Sequence, residues 1–320
     1  MRNNAEVADI YKRAGVTTVA GAGGELDPPA WWVEKYVKLP RSGRAFANVV
    51  YNDLLPSGYS SINIPTVTGG TTVAAQSTQN TAVSNTDPTT SSIAISISTA
   101  AGYNLISQQA IDQSPISWEG LVLDDLNRAS DKVIDQAVIS GVAGWSSIIG
   151  QTYTDASPTT AKVNNQVLTA LYKIYAQRFD AASVIVMHPQ RWAGFLGYLD
   201  SQGRPLVVPN GTGQVFNAIG QFFNAAQGVA GNLWGIPVVV DPNIPQNLGA
   251  GTNQDEIFVL KSDDIVLLES TPKMDTQVAP YANQLSVLVR FWRYYGYGVR
   301  TPKSVSVITG TGMIQPAIGS

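Results

Sequence analysis

A long segment with almost no charge constrains this chain more than any other feature of its sequence. Between Ser57 and Thr99, 24 of 43 residues are Ser, Thr, Asn or Gln, and Asp87 carries the only charge. Isoleucines alternate with small polar residues near both ends of the segment, at the two-residue period of a β-strand. These isoleucines are Ile62, Ile64, Ile93, Ile95 and Ile97. The pattern predicts a long β-hairpin with a loose tip. Because an isolated two-stranded ribbon is only marginally stable in water, this hairpin needs another surface to lie on.

A long helix is predicted after the hairpin. Ser114 can cap its N-terminus, Pro115 suits its first turn, and Gly141 can end it. Its apolar side chains fall close to one stripe, so one face packs and the other is solvated or interfacial. Shorter elements follow: helices over 165–178 and 190–199, strands over 183–187 and 233–240, two strands within 255–269, and strands within 285–309. Helices and strands are mixed without an internal repeat, which indicates an α+β fold.

The composition limits the classes of protein to which the chain can belong. Charged residues make up 13 % of its 320 residues, against roughly 25 % in ordinary soluble domains. So weakly charged a surface suggests burial against other chains. With 44 % apolar residues and a net charge of -3, the chain should fold rather than stay disordered. It contains no cysteine, so disulfides, thiolate metal sites and cysteine nucleophiles are excluded.

Nucleic-acid readers and membrane proteins are also disfavoured. The sequence pI is near 5.2, whereas a dedicated DNA-binding domain usually carries a strongly basic face. Arg2, Lys12 and Arg13 can either touch phosphates or merely solubilise the N-terminus, and both interpretations stay open. No apolar run reaches the roughly 18 residues of a membrane span, and the first residues lack a secretory signal. We therefore expect assembly in a cytoplasm.

Candidate catalytic residues are scarce. His188 is the only histidine, and its place between a predicted strand and a predicted helix favours helix capping over general-base catalysis. The acidic pairs Asp124–Asp125, Asp255–Glu256 and Asp263–Asp264 are adjacent in sequence, so their side chains diverge on a helix or strand. Solvated faces and turns explain these pairs better than a metal site or acid–base chemistry. Because the common catalytic and phosphate-binding motifs are missing, the sequence predicts no enzyme, no cofactor and no metal.

Four stretches, taken in their order along the chain, resemble a known family. They are Ser107–Ser114 before the long helix, Asp131–Asp135 near its end, Val184–Pro189 followed by Trp192, and Leu233–Val240 with its Gly-Ile-Pro-Val sequence. Together with a short N-terminal arm and a polar hairpin, this order is similar to that of the Hong Kong 97-like major capsid proteins of tailed bacteriophages. The matching stretches span most of the chain.

The resemblance implies a subunit with four parts. The N-terminal arm is 1–48, the E-loop β-hairpin 49–106, the peripheral domain with the spine helix 107–145 and 285–320, and the axial domain 146–284. Function then means self-assembly into hexamers and pentamers of an icosahedral shell around a double-stranded DNA genome. The implied partners are other copies of the chain, DNA contacted without sequence specificity, a scaffolding protein, a portal and optional decoration proteins. No cofactor and no membrane are implied.

Two groups of residues are candidate contacts in such a shell. Trp31 and Trp32 are adjacent and cannot both face one core, so either one rests on a neighbouring subunit or both are tucked under the same chain. The five isoleucines of the hairpin are expected to contact a neighbour as well. Arg2, Lys12 and Arg13 are expected to face the genome.

Covalent crosslinking is a further property of some relatives, which join a lysine of the hairpin to an asparagine of a neighbour. Here no Lys or Arg lies between Arg44 and Arg128. Hydroxyl groups are poor substitutes for the amine without an activating base. The sequence therefore predicts a shell without this crosslink.

Two alternatives to a phage capsid remain at this stage. An encapsulin-type bacterial nanocompartment would share the fold but enclose a cargo enzyme. A surface adhesin or a polysaccharide-acting enzyme would explain the composition rich in Ser, Thr and aromatic residues. The long predicted helix argues against the second alternative, because such proteins are expected to be all-β.

Overall fold

A computed structural model describes residues 38–114, 117–198, 229–278 and 284–316. Its helices are α1 (Ala45–Val49), α2 (Gln108–Gln113), α3 (Trp118–Ala143), α4 (Thr160–Arg178) and α5 (Pro189–Leu196). Its strands are β1 (Tyr51–Leu54), β2 (Ser61–Gly69), β3 (Thr89–Ser96), β4 (Ser98–Ser107), β5 (Ile149–Thr152), β6 (Val184–Met187), β7 (Val229–Leu233), β8 (Ile236–Val240), β9 (Ile257–Leu260), β10 (Ile265–Glu269), β11 (Lys273–Gln277), β12 (Ser286–Val299) and β13 (Val305–Thr309). This mixture confirms the α+β prediction.

The described strands form three sheets. One has the order β1-β10-β12-β11, and β4 pairs with the other edge of the long strand β12. The second has six strands in the order β5-β13-β9-β6-β8-β7, and the third is the hairpin β2-β3. Every residue of β6 and β9 is buried, which is typical of strands covered on both faces.

Sheet membership crosses the domain boundaries that the sequence suggested. β10 and β11 lie within 146–284, yet they pair with β12 in the five-stranded sheet. β13 lies within 285–320, yet it sits between β5 and β9 in the six-stranded sheet. Pairing between distant segments, which no local pattern encodes, decides these memberships.

The main hydrophobic core lies between the long helix and one face of the six-stranded sheet. Ile134 and Val138 of α3 are fully buried there, as are Phe258 of β9 and Phe46 of α1. The rings of Phe46 and Phe258 meet edge to face with their centroids 5.1 Å apart. Helices α4 and α5 cover the opposite face of the same sheet. The short segment around Phe46, predicted as part of the arm, is thus anchored in the core.

The ends of the long helix differ from the prediction. Ser117, not Ser114, caps α3, and its Oγ accepts a hydrogen bond from the Gly120 N–H at 3.4 Å. Ser114 instead follows the short helix α2. The helix also continues past Gly141 to Ala143, because this glycine serves packing: a Cβ there would overlap the ring of Tyr297 on β12.

The predicted strand over 233–240 is in fact a hairpin. Trp234 and Gly235 form its turn with φ values of 56° and 80°, the left-handed geometry that closes a two-residue hairpin. β7 and β8 pair on either side of this turn. The predicted strand over 183–187 and helix over 190–199 are confirmed as β6 and α5.

Candidate assembly surfaces

The hairpin predicted from the polar segment is confirmed. β2 and β3 are antiparallel, with Ile62 opposite Ile95 and Ile64 opposite Ile93. No strand is assigned from 70 to 88, and every residue of this tip is exposed. The hairpin therefore has a paired root, formed by β2 and β3, and a tip, residues 70–88, that is exposed along its whole length.

The root of the hairpin packs on the five-stranded sheet of the same chain. Ile95 is fully buried against Val266 and Leu268 of β10, and Ile62, Ile64 and Ile97 are partly buried around this cluster. The expected contact of Ile95 with a neighbour is thus wrong, because its side chain has no accessible surface left. Ile93, farther towards the tip, is only half-buried.

A ladder of ion pairs fixes the segment before α1 along the spine helix α3. Lys38 pairs with Asp124 at 2.9 Å and Arg41 with Asp125 at 2.6 Å. Arg44 continues the series: its guanidinium lies 2.7 Å from the Glu269 carboxylate and 3.6 Å from that of Asp131. Each exposed pair contributes little free energy alone, but the series sets the course of the segment. Sequence reasoning missed it, although three basic residues at three-residue spacing were the available signal.

Below this ladder lies a buried junction of two carboxyl groups. The Phe46 N–H donates to Asp241 Oδ2 at 2.7 Å, and the next N–H, of Ala47, donates to Asp135 Oδ1 at 2.8 Å. Asn243 binds both carboxyl groups, through its backbone N–H to Asp241 at 2.8 Å and its side-chain amide to Asp135 at 2.7 Å. Both aspartates are fully buried. Burial first, and then the hydrogen bond and charge of Asp241, raise the pKa of Asp135 to about 8.

One face of the five-stranded sheet is open. The α3 side is filled, whereas on the other side β4 and β12 line a groove of about 720 Å³. Tyr103 is 68 % exposed there, and the Arg290 guanidinium lies 5.1 Å from the centre of the Trp292 ring. A second cavity of about 800 Å³ shares Thr99 and Tyr294 with the groove and reaches the root of the hairpin. Aromatic side chains in such an open groove are typical of a contact surface.

A second uncovered surface runs along α4. Leu168, Tyr172, Tyr175 and Phe179 recur at spacings of three and four residues, so they share one face of the helix. Tyr172 is 70 % exposed and Phe179 is 86 % exposed. Trp234 lies beside them, where its Nε1–H donates to Asn164 at 3.0 Å. The spacing of these residues was a signal in the sequence that the prediction did not use.

His188 has the capping role that the sequence predicted. Its Nδ1 accepts the Gln190 N–H at 3.1 Å at the start of α5. Burial lowers the pKa of its imidazole, partly offset by Asp241. Within the described ranges, His, Asp and Glu form no group of three that could bind a metal ion. None of the helices described is both long and apolar enough to cross a membrane.

The acidic pair Asp255–Glu256 is not a solvated turn, and that interpretation is wrong. Asp255 is fully buried and lies 2.6 Å from the Arg191 guanidinium, which also donates to the carbonyl of Met313 at 2.9 Å. Burial raises the pKa of Glu256 to about 7, with a contribution from the charge of Asp255. Of the other pairs, Asp124 and Asp125 bind the ladder at the surface of α3. Asp264 is buried, against expectation, and lies 3.0 Å from Arg178.

The remaining predicted contacts lie outside the described residues. These are Trp31 and Trp32, expected at a neighbouring subunit, and Arg2, Lys12 and Arg13, expected to face DNA.

Comparison with protein families decides which kind of protein presents these surfaces. A model described as the phage capsid family matches residues 23–310. The chain belongs to the phage capsid family. This capsid protein is therefore structural: it is a major capsid protein that builds the icosahedral shell of a virion. The nanocompartment, adhesin and polysaccharide-enzyme alternatives receive no support.

Solved structures agree with the family. The capsid of an empty GTA particle matches with a TM-score of 0.69 at 17 % identity, over 92 % of this chain and 98 % of the other. A structure from Microbacterium phage Oxtober96 gives 0.67 at 12 % identity, over 93 % and 100 %. The capsid of cyanophage P-SCSP1u gives 0.67 at 13 %, over 92 % and 96 %. At these identities the likeness shows the fold, as the Hong Kong 97-like resemblance implied. Curated proteins give no significant match.

Proposed function

We propose that this capsid protein forms hexamers and pentamers of a closed shell around double-stranded DNA, and that the hairpin tip is a principal contact between subunits. A closed shell repeats a few contacts between identical subunits many times. The observation that carries the proposal is the exposure of every residue from 70 to 88, beyond strands that are themselves paired. A ribbon of this kind gains stability when it lies on another surface.

The receiving surface in this proposal is the open groove over β4 and β12 of a neighbouring copy. The tip is uncharged except for Asp87, and the groove is lined mostly by aromatic and small side chains. Lys273 lines the second cavity, which adjoins the groove at Tyr294, and its Nζ lies 5.4 Å from the centre of the Tyr294 ring. An acidic tip residue and a basic residue beside the groove give the two surfaces a matched charge pair.

The N-terminal residues supply the other contacts in this proposal. Trp31 and Trp32 rest on a neighbour, and Arg2, Lys12 and Arg13 contact packaged DNA without sequence specificity. The proposal divides the chain into arm 1–48, E-loop 49–106, peripheral domain 107–145 with 285–320, and axial domain 146–284. The exceptions are β10 and β11, which pair within the five-stranded sheet, and β13, which pairs within the six-stranded sheet. Assembly takes place in the host cytoplasm, with scaffolding, portal and decoration proteins as partners.

Shortening the tip tests the proposal without opening the core. Residues 70–88 are replaced by Asn-Gly, which closes a two-residue hairpin turn between the ends of β2 and β3. The subunit should keep its far-ultraviolet circular dichroism spectrum and thermal midpoint, because the root stays intact. Negative-stain electron microscopy should show no closed shells. A control variant keeps the wild-type length and composition of the tip but shuffles its sequence, which separates the effect of sequence from that of length.

A charge exchange tests the assignment of the groove. Asp87→Lys and Lys273→Asp should each reduce the yield of shells, and the two together should restore it. Normal shells from the shortened tip would refute the hairpin contact. Failure of the double variant to recover, with a folded subunit, would refute only the groove.

A further inference from the structure

The buried junction beneath the ion-pair ladder joins three distant parts of the chain. Asp135 lies on the spine helix α3, Asp241 and Asn243 follow β8, and the N–H groups of Phe46 and Ala47 open α1. Asn243 also receives the Ser42 hydroxyl at 2.6 Å and donates to the Gly43 carbonyl at 2.7 Å. Residues 42–47 are therefore held by polar contacts to Asn243 and two carboxyl groups, in addition to the burial of Phe46 in the core.

Two carboxyl groups cannot both be ionised in this setting at low cost. Asp135 and Asp241 are both fully buried, and Asn243 donates to both, so their carboxyl groups lie in one dry site. Among the described ion pairs, no cation contacts either group: Arg44 points instead to Glu269 and Asp131. Adjacent buried carboxylates without a cation share one proton, because a second charge would be neither solvated nor neutralised.

We propose that Asp135 and Asp241 share one proton and form a pH-sensitive latch that holds residues 42–47 against the spine helix. While the proton is present, it supplies the hydrogen bond between the carboxyl groups and removes one of the two charges. When the proton leaves, repulsion between two buried anions favours opening of the segment, which brings both groups into water.

Few other titratable groups act on this latch. Among the described residues, Asp241 is the charged group that acts on Asp135. On the sheet side His188 lies near Asp241, with Arg191 beyond it, and the burial that lowers the pKa of His188 leaves it neutral above about pH 6.5. On the helix side Asp131 is satisfied by Arg293 at 2.9 Å. Glu256, with a pKa of about 7, titrates in the same range, so a pH response above about pH 6.5 belongs to the carboxyl pair only where substitution of Asp135 removes it.

The direction of the pH response follows from linkage. In the closed state the pKa of Asp135 is raised from 3.8 to about 8, whereas in the open state the side chain is solvated and its pKa is ordinary. The stabilisation of the closed state is complete below about pH 4, declines as pH rises, and is lost once the pH passes about 8. Opening releases one proton, so the fraction of chains in the open state should grow about tenfold per pH unit in this range and level off above it.

The latch concerns the residues that connect the N-terminal segment to the core. If that segment contacts neighbours in the shell, which rests on the proposed function, alkaline conditions should loosen particles by releasing the segment. The latch itself does not need shell formation. It can be measured on the unassembled full-length chain.

Limited trypsin digestion measures opening, since Arg44 is a tryptic site within the held segment and Lys38 and Arg41 are sites just before it. Cleavage after these residues is followed by intact mass spectrometry. The rate is divided by that for a free peptide of residues 38–47 at the same pH, which removes the pH dependence of trypsin. The normalised rate should rise about tenfold per pH unit between about pH 6.5 and pH 8 and stay constant above it.

Matched variants separate the latch from the ladder. Asp135→Asn carries no removable proton, so its normalised rate should not change with pH, and Asp241→Asn should behave alike. Asp125→Asn removes only the exposed partner of Arg41. It should raise the rate about twofold at every pH without changing the slope.

The proposal is overturned if the wild-type rate shows no slope, or if Asp135→Asn and Asp241→Asn keep it. Should both variants fail to fold, infrared spectroscopy of the Glu256→Gln variant decides, because this substitution removes a second carboxyl group that titrates in the same range. A protonated-carboxyl band present at about pH 6.5 and absent at about pH 9.5 supports the latch, and no such change refutes it. Because none of these measurements depends on assembly, failure of the latch and failure of shell formation are separate outcomes.

Discussion

Ile95 lies so close to Gly298 that a Cβ on the glycine would come within 2.7 Å of the Cγ1 of the isoleucine. Ile95 belongs to the hairpin and Gly298 to the strand β12 at the centre of the five-stranded sheet. Gly296 makes a similar approach, at 3.0 Å from the Cγ2 of the same side chain. Because Gly296 and Gly298 have no side chains, β12 leaves the space in which Ile95 of the hairpin is buried.

Placing a side chain in this space should destabilise the subunit. We expect Gly298→Ala to lower the free energy of unfolding by about 1–3 kcal/mol, because the added methyl group overpacks a buried contact. Urea denaturation of the unassembled chain measures the effect. Gly150→Ala is a matched control on β5, since a Cβ there meets nothing within 4 Å, and its effect should stay within about 0.5 kcal/mol. Equal effects of the two substitutions would contradict the packing argument.

The buried pair of Arg191 and Asp255 should be the most sensitive ion pair among those described. Removing the guanidinium leaves a buried carboxylate alone, so Arg191→Met should cost about 3–5 kcal/mol of folding free energy. By contrast, Arg290→Met removes the exposed pair with Asp275 and should cost less than about 1 kcal/mol. Chemical denaturation curves compare them. A small effect at Arg191 would mean that the carboxyl group of Asp255 is neutral in the folded chain.

Glu256 should make folding stability depend on pH. Burial raises the pKa of its carboxyl group from 4.5 to about 7, so the folded chain holds a proton that the unfolded chain releases. Its contribution to stability is full below about pH 4.5 and is lost as pH rises through about 7. We expect urea midpoints to fall over this range and Glu256→Gln to reduce the fall. An identical pH profile in the variant would show that this carboxyl group does not titrate as described.

Phe179 should stabilise contacts between subunits while lowering the folding stability of the isolated subunit. It ends α4 in the left-handed region, with φ of 59° and its ring 86 % exposed, a conformation that glycine adopts more readily. Phe179→Gly should raise the thermal stability of the subunit by up to about 1 kcal/mol while reducing the yield of shells. Sedimentation velocity measures the second effect. An unchanged shell yield would place this face of α4 outside the contacts between subunits.

Mature particles should dissociate into single chains. No Lys or Arg lies between Arg44 and Arg128, so the hairpin lacks the amine needed for an isopeptide bond to a neighbour. Boiling in denaturing detergent should give one band near 34.1 kDa. A ladder of covalent multimers on the gel would falsify this prediction.

Local patterns in the sequence determined the elements of this protein. Alternation of isoleucine with small polar residues predicted the hairpin, and the observed pairing of Ile62 with Ile95 follows it. The position of His188 between an apolar run and a helix predicted its capping role. Such features depend on residues within a few positions of one another, so they can be read without knowing the fold.

Tertiary structure alone decided what each element touches. Periodicity indicated that one side of the hairpin is apolar, but not that Ile95 is buried on its own chain against Val266. Local patterns predicted that Gly141 ends the helix, because they cannot show that the ring of Tyr297, far away in sequence, packs against it. Asp135 and Asp241 are 106 positions apart, and their shared proton exists only because folding brings two carboxyl groups into one dry site. Long-range packing sets burial, partner and charge together, and for that reason these properties could not be derived from the sequence pattern.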